Sequence, residues 1–494
     1  MKQSHLLKSR NSWREKAKSG TLEKRKLERK LKNLSIKNAK LENLLREAHT
    51  QPQQQSLLPI PSTPSVVYLK IEIRIICLML FVLGKIPVNA VTRILHFLTS
   101  GKLLNFNWVP NPSSIVNWIG RAGIGLLENV GPCNEPWIAI IDASIAFGKA
   151  KAMVVLRVPL AVLKNGCAPT LANAQCIAMS IKTTWTGEDV YDLLAQTFQK
   201  AGIPAAILKD GGTDLAKGVG LLQSRFPAMA VIQDLGHVIA NALKAKYSSK
   251  AAFERLLDIA NSGRKKLFLS VLSALRPPKI RTKGRFQNIS KLLAWAQEMQ
   301  ELMSGQGRAA NGTMKGKLRL ALKGLCQLRS FVDAFASECA VLNDIQKILK
   351  DTGLNQTSYR LALKELDKLP ENCSIRAILE KWLSVHLRIQ CQMSIGQTPL
   401  LVSSDLIESL MGLLKHIIER SPIPEFTTMS LAVPLLCGNQ DLESLTAALQ
   451  SCSHKTLTRW RNENCSHSVR HVRPELLGEL KKIEVQKTVQ SRAA

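Results

Sequence analysis

The chain has 494 residues, an apolar fraction of 45% and a formal net charge of +31, from 68 basic and 37 acidic side chains. The apolar fraction excludes an intrinsically disordered chain, and a length of this size predicts about three domains. The 11 cysteines include no CxxC pair. The chain is therefore not a small domain held by disulfides, and we expect reduced thiols.

Positive charge is concentrated in two segments. Residues 1–50 hold 15 basic and 5 acidic side chains, and residues 264–329 hold 15 basic and 2 acidic ones. Clustered lysine and arginine indicate a polyanionic partner, because they displace counterions from phosphates. A basic surface kept for solubility is the alternative, but it would be spread more evenly. We therefore expect nucleic acid as a partner.

The N-terminal segment has a short heptad pattern. Leu27, Leu34 and Leu41 fall at one position of the heptad, and Asn38 falls at the other apolar position. A buried Asn at that position fixes the register of a two-stranded coiled coil. The pattern predicts a homodimer or higher oligomer through residues 24–45. An amphipathic helix packed against its own chain is the alternative.

Helical patterns follow a linker that is rich in Gln, Pro and Ser. Apolar spacing predicts helices over 66–83 and 88–99, divided by Gly84 and Pro87. A third helix is predicted over 112–127, with Ser113 as a candidate cap. Three such helices are compatible with a helix-turn-helix unit whose third helix enters the major groove. Plain helical packing is the alternative.

The middle of the chain changes to alternating strands and helices. Helical spacing starts at Gly187 and again near Leu215, on either side of the fourth strand. The five apolar or β-branched runs that predict strands are 137–147, 150–160, 174–184, 205–212 and 229–237. Three strands followed by helix–strand–helix–strand predict a mixed sheet with helices on its faces.

Acidic residues are expected at the C-terminal ends of three of these strands: Asp142, Asp210 and Asp234. Strand ends at one edge of an open sheet lie close together, and sites form there. Carboxylates without His or Cys partners suit Mg²⁺ or Mn²⁺, and two such ions assist phosphoryl transfer. A turn or helix cap is the alternative role for any one Asp. Asp214 is a second candidate ligand in place of Asp210.

The order of elements, with Asp142 in WIAIIDAS and Asp210 in AILKDGG, resembles the ribonuclease H-like core of the retroviral integrase superfamily. That superfamily includes the DDE transposases of bacterial insertion sequences. The resemblance implies that Asp142 and Asp210 are catalytic metal ligands, and that a Glu on a later helix is the third. Glu408 in SSDLIESLMGLLK is the best candidate for it. Ser404 and Leu401 replace the Arg and Tyr of one subgroup, so the subgroup stays open.

Three further residues follow from the same resemblance. Lys415 lies seven residues after Glu408, two turns on along the same helix face, where the family often has a Lys that contacts DNA. Asp234-Leu-Gly-His237 is similar to a motif of Cys or Asp, two residues and His after the fifth strand. Asp234 and His237 are therefore accessory candidates. A helix cap with a packed His is the alternative.

Asp210 and Glu408 are separated by 198 positions, which predicts an insertion between them. Residues 238–395 have helical patterns and almost no strand pattern, so the insertion is expected to be helical. Trp295 within it is expected in the core rather than stacked on a base. The expected fold is an α/β, ribonuclease H-like mixed sheet with a large helical insertion. The expected parts are a basic coiled coil (1–50), a linker (51–65), a helix-turn-helix-like domain (66–131), the core (132–249), the basic insertion (250–398), the Glu408 helix (399–440) and a helical tail (441–494).

The expected function is a DNA transposase that cleaves and joins strands at the ends of a mobile element with two Mg²⁺ or Mn²⁺ ions. The expected partner is double-stranded DNA at the element ends and the target. A non-catalytic DNA-binding regulator and a structure-specific nuclease on the same core are the alternatives. No apolar run reaches the roughly 18 uncharged residues of a membrane span. We therefore expect no membrane partner and a cytoplasmic location at the bacterial nucleoid.

Overall fold

The structure is a computed structural model that describes residues 70–478, except 102, 104–107, 148–149, 166–167, 281–283, 305–312, 394, 467, 470–471 and 475. All described residues belong to the unit Val67–Ala494. The predicted coiled coil, with Leu34 and Asn38, and the linker lie outside the described residues.

The described residues form five strands and sixteen α-helices. The strands are β1 (Trp137–Phe147), β2 (Ala150–Pro159), β3 (Gln175–Lys182), β4 (Ala206–Lys209) and β5 (Ala230–Gln233). The helices are α1 (Lys70–Val82), α2 (Val88–Ser100), α3 (Pro112–Glu128), α4 (Gly187–Ala201), α5 (Thr213–Arg225), α6 (Leu235–Tyr247), α7 (Ala251–Leu267), α8 (Ile289–Met303), α9 (Met314–Ala321), α10 (Arg329–Thr352), α11 (Gln356–Leu366), α12 (Ser374–Gln392), α13 (Asp405–Ile418), α14 (Ala432–Leu435), α15 (Leu442–Ser451) and α16 (His454–Cys465).

The five strands form one mixed sheet in the order β3-β2-β1-β4-β5. β1 pairs with β2, and β2 with β3, in antiparallel fashion, whereas β1–β4 and β4–β5 are parallel. The prediction of a mixed sheet with helices on its faces is confirmed. Its assignment to the ribonuclease H-like class stays a prediction.

Both faces of the sheet are buried, as the continuous apolar composition of β1 requires. Alternate residues point to opposite faces, so Ile138 and Ile140 join one core cluster while Ala139 and Ile141 join another. Helices α4 and α5 cover the Ile141 face, and α6 and α13 contribute to the cluster on the Ile140 face. The next residue in the alternation, Asp142, therefore belongs to the face of α6 and α13.

β1 has the predicted bounds, but Asp142 does not end it. The strand continues past Asp142 to Phe147 in a hairpin with β2. Its pairing with β4 stops at Ile141, and the β1–β2 register shifts directly after Asp142. Asp142 thus lies where β1 leaves its parallel neighbour, which keeps it at the predicted edge although the strand continues.

The third N-terminal helix, α3, is a packing element. A Cβ added at Gly123 would lie 2.1 Å from the Leu431 carbonyl oxygen, and one at Gly125 would lie 2.0 Å from that of Ala448. Arg121 donates hydrogen bonds to the carbonyls of Leu449 and Cys452. Helices of the C-terminal part therefore cover α3, which favours the alternative of plain helical packing, and the helix-turn-helix-like domain stays a prediction.

The predicted insertion is helical throughout its described residues, from α7 to α12, with short 3₁₀ helices between. It does not have a core of its own. Phe253, Leu342 and Leu383 belong to the same buried cluster as Ile232 of β5. Trp295 is buried and donates its indole N–H to the Leu275 carbonyl at 3.0 Å, so its expected place in the core is confirmed. No helix in the described part of the chain is both long and apolar enough to cross a membrane.

Candidate active site

One cleft of about 1270 Å³ contains all three predicted catalytic residues, Asp142, Asp210 and Glu408. Its walls come from β1, the end of β4, α6, α13 and residues 284–287 of the insertion. The other ionisable or amide side chains that line it are Lys151, Asp214, His237, Asn241, Lys244, Glu254, Arg285, Gln287, Lys415, His416 and Glu419.

The sheet register brings Asp142 and Asp210 together. Ile141 pairs with Lys209 in the parallel β1–β4 ladder, and each Asp is the next residue of its strand. Neighbouring strands lie about 4.8 Å apart, so the two backbones leave the ladder side by side. Asp142 is buried, with 6% of its surface exposed. Asp210 is half-buried, and its Oδ1 accepts a hydrogen bond from the Gly212 backbone N–H at 2.9 Å.

Asp214 lines the same cleft from the first turn of α5. It is more exposed than Asp210, and it lies on a helix rather than at the sheet edge. The position of Asp210 next to Asp142 favours Asp210 as the ligand. The presence of both in the cleft keeps Asp214 as a second candidate.

Glu408 enters the cleft from α13, which packs on β1. Glu408, Lys415 and Glu419 follow one another along the cleft face, while Ile407 and Leu414 are buried beneath. Although Glu408 is exposed to the cleft, partial burial raises the pKa of its carboxyl, and the nearby carboxylates of Asp405 and Asp234 raise it further.

The side chains of Asp234 and His237 form a hydrogen-bonded link beside the three acids. Asp234 caps α6: its Oδ1 accepts from the His237 backbone N–H at 2.7 Å and lies 2.9 Å from His237 Nδ1. Its Oδ2 accepts from the Ser404 backbone N–H at 2.7 Å, at the start of α13. The Asp234 carboxylate is thus both a helix cap and part of the candidate site, because it connects the end of β5 to α13, the helix that carries Glu408.

The charges of this link reinforce each other. The hydrogen bond to Asp234 raises the pKa of His237 to about 9, against an opposing effect of burial, and the carboxylates of Asp210 and Glu408 act in the same direction. Burial would raise the pKa of Asp234, but hydrogen bonds from His237 and Ser404 outweigh it and leave that pKa below its ordinary value. At neutral pH the link is therefore an ion pair.

Cationic side chains that the sequence did not single out also line the cleft. Lys151, Lys244 and Arg285 line it, and none forms an ion pair with another described residue. Lys415 lines it as predicted and lies 3.4 Å from Glu419. These residues are far apart in sequence, and only the tertiary fold brings them together. The high charge of residues 264–329 was the one signal that pointed toward Arg285.

Arg285 is held at the cleft by its neighbours. Gly284 begins the 3₁₀ helix Arg285–Asn288 with a φ of 71°, a conformation that favours glycine. Phe286 is buried and stacks on Phe253, with ring centroids 5.1 Å apart. Gln287 Nε2 lies 3.2 Å from His237 Nε2. The insertion therefore contributes one wall of the candidate active site.

The donor set of the cleft suits a hard divalent cation, since its acids offer oxygen ligands only. Within the described residues, however, no group of three or more His, Cys, Asp or Glu side chains is arranged to hold a metal ion. Asp142 and Asp210 are fixed by the sheet, while Glu408 lies on an exposed helix face. The ligand types fit Mg²⁺ or Mn²⁺.

Comparison with known proteins gives similarity of low degree. No protein-family model matches the chain, and no curated protein matches it. Among solved structures, the chain is similar to the Drosophila P element transposase strand transfer complex, with a TM-score of 0.40 and 14% sequence identity. The match covers 85% of this chain and 100% of that one. With so low an identity and TM-score, the function has to be inferred from the cleft itself.

Proposed function

We propose that the chain is a DNA transposase of the DDE type, which cleaves DNA strands and joins them to a target by metal-dependent phosphoryl transfer. The observation that carries the proposal is the cleft that unites Asp142, Asp210 and Glu408 across 266 positions of sequence. A cleft that holds these three carboxylates and is also lined by Lys151, Lys244, Arg285 and Lys415 suits a phosphodiester substrate. The acids would bind metal, and the lysines and arginine would bind phosphates.

Asp142, Asp210 and Glu408 would hold two Mg²⁺ or Mn²⁺ ions, which stabilise the charge that develops on the attacking and leaving oxygens of a phosphoryl transfer. Lys415 and Arg285 would bind backbone phosphates. The ion pair of Asp234 and His237 would hold the Glu408 helix against the sheet edge. Double-stranded DNA is the proposed partner, and a homodimer or higher oligomer through residues 24–45 is the proposed assembly.

The test is a cleavage and joining assay with duplex DNA from both sides of the coding sequence, in the presence of Mg²⁺ or Mn²⁺. Asp142→Asn should abolish both products while DNA binding stays near normal, because the lost carboxylate acts mainly on the transition state. Asp344→Asn, at an exposed acid that does not line the cleft, is the matched control.

The outcomes separate the alternatives. Cleavage with strand joining, lost in Asp142→Asn and kept in Asp344→Asn, supports a transposase. Cleavage without joining indicates a nuclease on the same core. DNA binding with neither product, under both metals, indicates a non-catalytic regulator and overturns the proposal.

A further inference from the structure

The open edge of the sheet is completed by two side chains of the insertion. β5 is an edge strand, and the backbone groups of Gln233 point away from β4. Trp382 of α12 donates its indole N–H to the Gln233 carbonyl at 3.3 Å. His386, one turn later on α12, accepts the Gln233 N–H through Nε2 at 3.1 Å. Together they replace the two hydrogen bonds that a sixth strand would make at this residue.

The geometry fixes the protonation of His386. Its Nδ1 lies 2.7 Å from the Trp382 carbonyl, which accepts hydrogen bonds only, so Nδ1 carries the proton. Nε2 is then free to accept from Gln233. The two rings are stacked, with centroids 4.1 Å apart, and both residues are buried at 4% and 3% exposure. Each ring nitrogen of Trp382 and His386 therefore has one hydrogen-bond partner.

Gln233 is directly followed by Asp234, whose carboxylate caps α6 and binds the Ser404 backbone N–H. Ser404 in turn accepts from the Glu408 backbone N–H within the first turn of α13, at 3.2 Å. An unbroken series of hydrogen bonds thus connects α12 to the residue that carries the Glu408 carboxylate.

We propose that Trp382 and His386 are positioning residues, through which the insertion fixes Asp234 and the Glu408 helix in the candidate active site. The catalytic part of this inference rests on the proposed function; the structural part does not. On this basis the insertion is required to build the site and not only to bind DNA. An N–H that packs against the buried His386 ring and is left without an acceptor is costly, so loss of the His386 acceptor should displace Gln233.

The test uses the full chain and three substitutions. His386→Leu removes the acceptor, His386→Gln places an amide oxygen near the position of Nε2, and Trp382→Phe removes the donor but keeps an aromatic ring. Leu383→Val is the control, since it loosens a buried residue of the same helix without a hydrogen bond to β5.

The first measurement is amide hydrogen exchange in metal-free protein without DNA. His386→Leu and Trp382→Phe should speed exchange in the peptides that contain Gln233 and Ser404, whereas Leu383→Val should affect only α12. Exchange at Ser404 that stays as slow as in the parent would overturn the proposal, whatever the activity. If His386→Leu does not fold, Trp382→Phe and His386→Gln still decide the matter.

The second measurement is the cleavage rate at saturating DNA. His386→Leu should lower it about ten-fold or more, because small displacements of catalytic groups cost up to about a hundredfold. His386→Gln should recover most of the rate, and the Kd for DNA should hardly change in either variant. Equal rate losses in His386→Leu and a Leu383→Val protein of the same thermal stability would overturn the positioning role. A parent that does not cleave DNA contradicts the proposed function and leaves the exchange result standing.

Discussion

Replacement of His237 by Gln should remove a pH-dependent stabilisation from the folded protein. The hydrogen bond to Asp234 raises the pKa of His237 from 6.5 to about 9. At about 1.4 kcal/mol per unit, that shift corresponds to about 3 kcal/mol of preferential stability for the protonated folded state. Gln keeps the approximate volume and a donor toward Asp234 but cannot carry the charge.

The sign follows from which state binds the proton more tightly. Because the pKa is raised in the folded state, the stabilisation is complete below pH 6.5 and is lost as the pH rises through about 9. The free energy of unfolding of the parent, minus that of His237→Gln, should therefore shrink by about 3 kcal/mol between pH 6 and pH 10. Other titrating groups are common to both proteins and cancel in this difference.

Two assays check this prediction, both in EDTA so that no metal perturbs the site. Urea denaturation of the two proteins at several pH values gives the difference in unfolding free energy. NMR titration of the imidazole, identified by its absence in His237→Gln, gives the pKa directly. A His237 pKa at or below 6.5, or a stability difference that is independent of pH, would refute the ion pair with Asp234. Asp234→Asn is the control, and it should bring the pKa down.

Two further predictions use the same structure. Arg285→Ala should reduce the slope of log K for DNA against log salt by about 0.9, as expected for one lost phosphate contact, while Arg360→Ala, at an exposed arginine outside the cleft, should leave the slope unchanged. Equal slopes in the two variants would exclude Arg285 as a phosphate ligand. Burial lowers the pKa of His386 to about 4, so acidification from pH 6.5 to 4 should destabilise the parent by about 3 kcal/mol relative to His386→Gln. A parent that resists acid as well as the variant does would contradict the neutral, buried imidazole.

The sequence predicted the sheet and two of its acids because local patterns determine them. Apolar, β-branched runs indicate buried strands, and an acid after such a run lies at a sheet edge. Glu408 came from the resemblance to a family, since nothing local distinguishes it from Glu419 on the same helix. Its place in the cleft depends on the hydrogen bond between Asp234 and Ser404, residues 170 positions apart.

The packing of α3 against the C-terminal helices has a physical reason that is visible in the sequence. Gly120, Gly123 and Gly125 lie within one helix, where glycine is unfavourable unless another backbone must come close. That pattern indicates a buried helix rather than one that enters a groove. The roles of Arg285 and His386 gave no such local signal. A single Arg in a basic segment and a single His on a helix face acquire their significance only from the residues that tertiary packing places opposite them.

The position of the insertion explains how Glu408 can lie so far along the chain from Asp210 and still share its cleft. The chain departs after Asp234 and returns at Val402, whose carbonyl accepts the Leu235 N–H at 3.0 Å. The two segments that flank the insertion are thus hydrogen-bonded to each other, and the cost of closing a loop rises only slowly with its length. Lys350 of the insertion adds an ion pair of 2.5 Å to Asp405, next to this junction. Loop closure, the helix cap made by Asp234 and completion of the β5 edge all occur at this place. A deletion that removes α12 therefore takes away the edge of the sheet on which the Glu408 helix depends.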